Sequence, residues 1–131
     1  MKRRIRNPEL LTQPVAFSGF EDGKVSFTDL DFCMELYNEL FIIGDVKHEC
    51  TGLTTGQKIL IERLCDKDWV LSVGIVATHN VEPPNEIVLA ECNVKAYYWH
   101  GQWVEPEAPM KMKEFVTMIK NTYKHIKNEN L

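Results

Sequence analysis

Residues 27–47 read FTDLDFCMELYNELFIIGDVK, and the way this stretch folds decides the rest of the chain. Phe32, Met34, Leu36, Phe41, Ile42, Ile43 and Val46 are apolar or strand-forming, with Val25 and Phe27 ahead of them and the polar pair Asn38-Glu39 between. Such a pattern on both sides of a polar break predicts a β-hairpin over Lys24 to His48. Three aspartates, Asp29, Asp31 and Asp45, and the lysine Lys47 lie in or beside these strands. Burying such groups is costly unless they pair with one another or with a cation, so their placement asks for a chemical reason.

Side chains alternate along a strand, which puts Asp29 with Asp31 on one face and Asp45 with Lys47 on one face. Two registers are open. A two-residue loop at Asn38-Glu39 sets Asp31 opposite Val46 and the aspartates on opposite faces of the sheet. A three-residue loop, Tyr37-Asn38-Glu39, or a bulge, sets Asp31 opposite Asp45 and Asp29 opposite Lys47. We expect the second, which leaves Phe32, Met34, Leu36, Leu40, Ile42, Gly44 and Val46 as an almost wholly apolar face for a packing helix.

Downstream, Thr54-Thr55-Gly56-Gln57 is a helix start, and Ile59, Leu60, Arg63 and Leu64 continue at helical spacing to about Asp66. The apolar members of this helix predict packing against the face of Phe32, Met34 and Ile42. Trp69 to Ala77 reads as a strand buried on both faces, and its place after a helix implies a βαβ crossover. Val81 to Asn85 is a surface loop, Glu86 to Trp99 a strand, and His100-Gly101 a turn into Gln102-Trp103-Val104. From Pro109 to about Asn128, Met112, Phe115, Val116, Ile119, Tyr123 and Ile126 fall in one arc of an amphipathic helix. Lys113, Lys120, Lys124 and Lys127 gather beside that arc, where a solvated flank over the core is expected before a phosphate-tracking surface. Upstream, a short helix over Pro8–Thr12 capped by Asn7 is the only element suggested.

The segments FTDLDFCMEL, LFIIGDVKHE and TTGQKILIERL together resemble the PD-(D/E)xK nuclease superfamily, in the form found in small phage-type or resolvase-like proteins. The resemblance covers roughly residues 25–76. It implies an α/β (α+β) fold with a restriction-endonuclease-like core, a mixed central sheet flanked by helices. Asp31 matches the family's first aspartate, with Asp29 as an auxiliary candidate; Asp45 and Lys47 match the (Asp/Glu)-x-Lys pair; Gln57 matches a polar position on the following helix. Glu9 and Glu21 are candidates for an N-terminal acidic residue. The resemblance implies that Asp31, Asp45 and Asp29 hold Mg²⁺ or Mn²⁺, that Lys47 is the catalytic cation, that Gln57 positions the reacting groups, and that DNA is the substrate. The physics is consistent: two carboxylates suit a hard cation that keeps several waters and contacts phosphate.

Composition bounds these expectations. A chain of 131 residues with 44% hydrophobic content is ordinary for one globular domain, here 1–131. A net charge of −4, from 19 acidic against 15 basic residues, argues against nucleic-acid binding by overall charge, so any such contact must be local. The basic residues Lys2 to Arg6 are followed by Asn7-Pro8-Glu9 rather than an apolar run, and no stretch approaches the ~18 apolar residues of a membrane span. A cytoplasmic protein with no membrane contact is expected, and a homodimer is allowed. Cys33, Cys50, Cys65 and Cys92 have no metal-binding or redox spacing, and neither do His48, His79, His100 and His125. Trp99 and Trp103 flank the His100-Gly101 turn, where cross-strand packing is expected before stacking on bases. Two functions therefore compete: a metal-dependent deoxyribonuclease, more an endonuclease than an exonuclease, and a catalytically silent nuclease-fold protein that binds or inhibits a protein partner.

Overall fold

The computed structural model describes residues 28–49, 51–67 and 71–129, with isolated positions 16, 19 and 23. In chain order the elements are β1 (Phe32–Leu36), β2 (Leu40–His48), α1 (Thr55–Cys65), β3 (Leu71–His79), a 3₁₀ turn (Leu89–Glu91), β4 (Asn93–Trp99), β5 (Gln102–Val104) and α2 (Met112–Glu129). The five strands form one mixed sheet in the order β1-β2-β3-β4-β5; β2 and β3 are parallel and the other neighbours antiparallel. The architecture is α+β, with one helix on each face of the sheet.

The hairpin adopts the three-residue connection. Phe32 pairs with Gly44 and Leu36 with Leu40. Tyr37 and Asn38 both take positive φ, and the Glu39 N–H donates to the Leu36 carbonyl at 3.2 Å. Tyrosine is rarely left-handed. Here its ring stacks on Tyr123 of α2, with centroids 5.7 Å apart, and the Tyr123 hydroxyl donates to Glu39. Tertiary contact thus holds a turn that local preference alone would not select.

β2 and β3 are joined by α1 in a parallel crossover, as the sequence implies. In β3, Ser72 through Thr78 are all buried, as expected of a strand covered on both faces. The main core lies between the sheet and α2: Leu36, Leu40, Ile42, Val73, Ile75, Ala77 and Val94 meet Met112 and Phe115, with Val116, Ile119 and Tyr123 packed alongside. From Met112 to Tyr123 the predicted arc of α2 therefore lines the core, while Lys113, Lys120 and Lys124 are exposed; the side chains of Ile126 and Lys127 lie outside the described ones.

Three expectations need correction. The helix after β2 closes at Cys65 with Asp66 as its cap, but it does not cover Met34 and Ile42, which belong to the α2 side. It packs instead through Ile61 against Ile43 and Tyr98, on the face that carries Asp45. The better amphipath, α2, takes the larger apolar face, and α1 has little to bury: Ile59 and Leu64 are 40% and 41% exposed, and only Gln57 and Ile61 are buried. Close approach of α1 requires Gly74, where an added Cβ would lie 2.1 Å from Ile61 Cγ2. Second, β1 begins at Phe32, so Asp29 and Asp31 precede the strand rather than lie in it. Third, the run from Glu86 is not one strand, because the 3₁₀ turn intervenes before β4. The Pro8–Thr12 helix, Glu9, Glu21 and the Lys24–Phe27 part of the hairpin lie outside the described residues. Among the described residues no helix is long and apolar enough to cross a membrane.

Candidate metal centre

Asp45 lies in the centre of β2 and is 1% exposed. Its strand alternation with Ile43 and Lys47 puts it on the α1 face, and the hairpin register brings Asp31 beside it from the residue just ahead of β1. The two segments interlock through side chains where the ladder ends. Asp31 N–H donates to Asp45 Oδ1 at 3.2 Å, and Val46 N–H donates to Asp31 Oδ2 at 2.7 Å. Each aspartate thus satisfies a backbone donor of the opposing segment.

The second Asp45 oxygen is different. Oδ2 is enclosed and accepts no hydrogen bond of good geometry, and the Lys47 ammonium approaches it at 2.7 Å as an ion pair. Lys47 keeps 19% of its side chain in solvent, so it bridges the buried carboxylate and the surface. The Asp31 carboxyl titrates above the ordinary carboxylate range. Loss of solvation is the largest cause; hydrogen bonding and charge repulsion from Asp45 add to it, against the lowering effects of Val46 N–H and Lys47. Two carboxylates therefore lie close together beside one ammonium group.

Gln57 is buried on the first turn of α1. Its Oε1 accepts from Thr54 N–H at 3.1 Å, while Thr54 Oγ1 accepts from Gln57 N–H at 3.1 Å, a reciprocal cap that the Thr-x-x-Gln spacing encodes. Its Nε2 donates to the Asp29 carbonyl at 3.3 Å. The amide therefore ties the segment leading to Asp31 onto the end of α1. The far end of that helix is pinned by Tyr98 Oη donating to Asp66 Oδ1 at 2.8 Å, and its middle by Trp103 Nε1 donating to Glu62 Oε1 at 3.0 Å. Burial, then the bond to Asp66, pushes the Tyr98 phenol up to about 12.

The structure brings together Asp31, Asp45 and Lys47, and ties Gln57 to the carbonyl of Asp29, two residues before Asp31. It does not gather the Asp29 carboxylate with them: Asp29 is exposed and takes part through its carbonyl. Among the described residues no group of three or more His, Cys, Asp or Glu side chains converges as a metal site. The donor chemistry of the pair nonetheless fits a hard divalent cation, because two carboxylates are the protein share that Mg²⁺ ordinarily takes, and Asp45 Oδ2 is engaged by the Lys47 ion pair alone. The reciprocal backbone bonds of Asp31 and Val46 were not legible in the residues. The capping spacing was, but it did not show that the same amide reaches Asp29.

The chain matches no family model, and no curated protein or solved structure is similar to it.

Proposed function

We propose that this protein is a divalent-cation-dependent nuclease that hydrolyses DNA phosphodiester bonds, built on a restriction-endonuclease-like core and working in the cytoplasm. The observation that carries the reading is the convergence of Asp31 and Asp45 on the α1 face, with the Lys47 ammonium at the mouth of the pair. In this reading Asp31 and Asp45 hold Mg²⁺ or Mn²⁺. The cation supplies positive charge to a phosphoryl oxygen and acidity to water.

The chain's own residues do the rest. Hydrolysis forms a bond from water oxygen to phosphorus and breaks the bond to the leaving oxygen, so negative charge grows on the phosphoryl group. Lys47, anchored by Asp45 yet partly open to solvent, is placed to neutralise that charge or to orient the water. Gln57 acts as a positioning residue: its amide fixes the Asp29–Asp31 segment against α1. Asp29 contributes its carbonyl to the hydrogen bond from that amide.

A second reading keeps the fold without the chemistry, as a domain that binds a protein partner. The enclosure of Asp45 and its 2.7 Å ion pair with Lys47 favour it, since a closed pair of this kind also serves as a structural strut. Cleavage of supercoiled, linear and branched DNA with Mg²⁺ and with Mn²⁺ separates the two. Cation-dependent cutting that is lost in Lys47→Ala supports the nuclease, and no cutting of any substrate supports the silent domain.

A further inference from the structure

On the α1 face the row of residues that starts at Asp45 continues across the sheet. Asp45 pairs with Val76, and Val76 pairs with Ala96. With neighbouring strands about 4.8 Å apart, this row reaches roughly 10 Å from the carboxylate pair. Val76 and Ala96 form part of the lining of an open groove of about 470 Å³, together with Gly52, Leu53, Lys58, Lys95, Trp103 and Glu105.

The sheet is irregular at this place. The β3–β4 register shifts between Val76 and Ala77, so that Ala96 pairs with Val76 while Val94 pairs with Ala77, and Lys95 is the extra residue. Val94 then belongs to the α2 core, Ala96 to the opposite face. A regular strand would send Lys95 away from Ala96, yet both line the groove. Bulges re-aim side chains in this way and are concentrated beside active sites. Here the re-aimed group is a cation. Lys58, the residue after Gln57, supplies a second from α1. Trp103 supplies an aromatic surface whose orientation is fixed by its bond to Glu62 and by the Tyr98 ring, 5.2 Å away at 56°. Among the described residues two carboxylates oppose these cations: Glu62, which accepts from the Trp103 indole, and Glu105, just beyond the end of β5.

Small floor residues, two lysines and a held indole, in a chain of net charge −4, form a local patch suited to a sugar-phosphate backbone and a base. We infer that this groove binds a single-stranded segment of the DNA substrate adjoining the phosphate at Asp31 and Asp45, with Lys58 and Lys95 on its phosphates and Trp103 against a base. The inference rests on the nuclease reading and adds the class of substrate, since aromatic stacking needs an unpaired base.

The test is fluorescence anisotropy with a single-stranded oligodeoxynucleotide and a blunt duplex of the same sequence, in Ca²⁺, followed by cleavage in Mg²⁺. The proteins are the wild type, Lys58→Ala/Lys95→Ala, and Lys120→Ala/Lys124→Ala as a charge control; all four lysines are exposed, and thermal melts confirm folding. The wild type should prefer the single strand. The groove variant should bind it roughly tenfold more weakly, with a salt slope lower by about 1.4, at about 0.7 per phosphate, while the control is unchanged. If the wild type cuts DNA but the groove variant keeps its affinity and slope, or the blunt duplex binds as tightly, the groove inference is wrong and the nuclease reading stands. If the wild type neither binds nor cuts either DNA, the nuclease reading fails and the groove inference with it.

Discussion

Asp31 and Asp45 are bound to each other across the open end of the β1–β2 ladder: the Asp31 N–H donates to Asp45 Oδ1 at 3.2 Å. The bond places two carboxylates side by side at the point where a further ladder pair would have formed. Asp31 Oδ2 completes the exchange by accepting from Val46 N–H. The site is therefore part of the hairpin itself, and what disturbs the hairpin disturbs the site.

Gln57 links that hairpin to α1, and its two ends can be tested separately. Gln57→Ala should cost roughly 1–3 kcal/mol, from loss of the reciprocal cap and a stranded Asp29 carbonyl. Gln57→Glu keeps an acceptor for Thr54 N–H but cannot donate to Asp29, so its loss should be smaller. Urea denaturation of the variants reads both: an undiminished stability in Gln57→Glu would remove the Asp29 bond from the account, and equal losses would remove the cap.

The face that carries the site depends on Gly74. Gly74→Ala drives a Cβ to 2.1 Å from Ile61 Cγ2, and should destabilise the fold by about 1–3 kcal/mol. Combining it with Ile61→Ala should cost less than the two single changes added together, because the cavity accepts the new methyl. Strict additivity in denaturation midpoints would show that α1 does not rest on Gly74.

Acid should loosen the start of α2. Lys111 and Lys113 hold Glu91 at 2.7 and 2.9 Å, and their hydrogen bonds and charge lower its pKa from 4.5 to about 2. A carboxylate whose pKa is depressed by folding contributes stability that is present above the unfolded value and lost as pH falls toward the folded one. The melting temperature should therefore fall between about pH 4.5 and 2 more steeply in the wild type than in Glu91→Gln. Parallel curves would contradict this.

Much of this arrangement was legible in the sequence, and the parts that were not have common physical origins. The period-2 placement of Asp31, Asp45 and Lys47 made the pairing depend on one register, and the three-residue connection supplied it. The α2 arc was legible because Met112, Phe115, Ile119 and Tyr123 repeat at helical spacing over a long segment. The face taken by α1 was not. Its exposed Ile59 and Leu64 obscure the single buried anchor, Ile61, and competition between two helices for the larger apolar face is a property of the whole fold. The bulge at Lys95 was hidden for a related reason, since Val94, Lys95 and Ala96 carry no local turn signal and the shift exists only against β3.

The central claim is that Asp31 and Asp45 are a cation site guarded by Lys47, and titration calorimetry with Mn²⁺ tests it most directly. The wild type should bind the ion. Asp45→Asn, which preserves the shape and the acceptor for Asp31 N–H, should lose that binding while remaining folded by thermal melt. Lys47→Ala should bind at least as tightly as the wild type, because it removes a competing charge from Asp45 Oδ2. Absence of Mn²⁺ binding in the wild type, or equal binding in Asp45→Asn, would contradict the account and leave Asp45 and Lys47 as a structural ion pair.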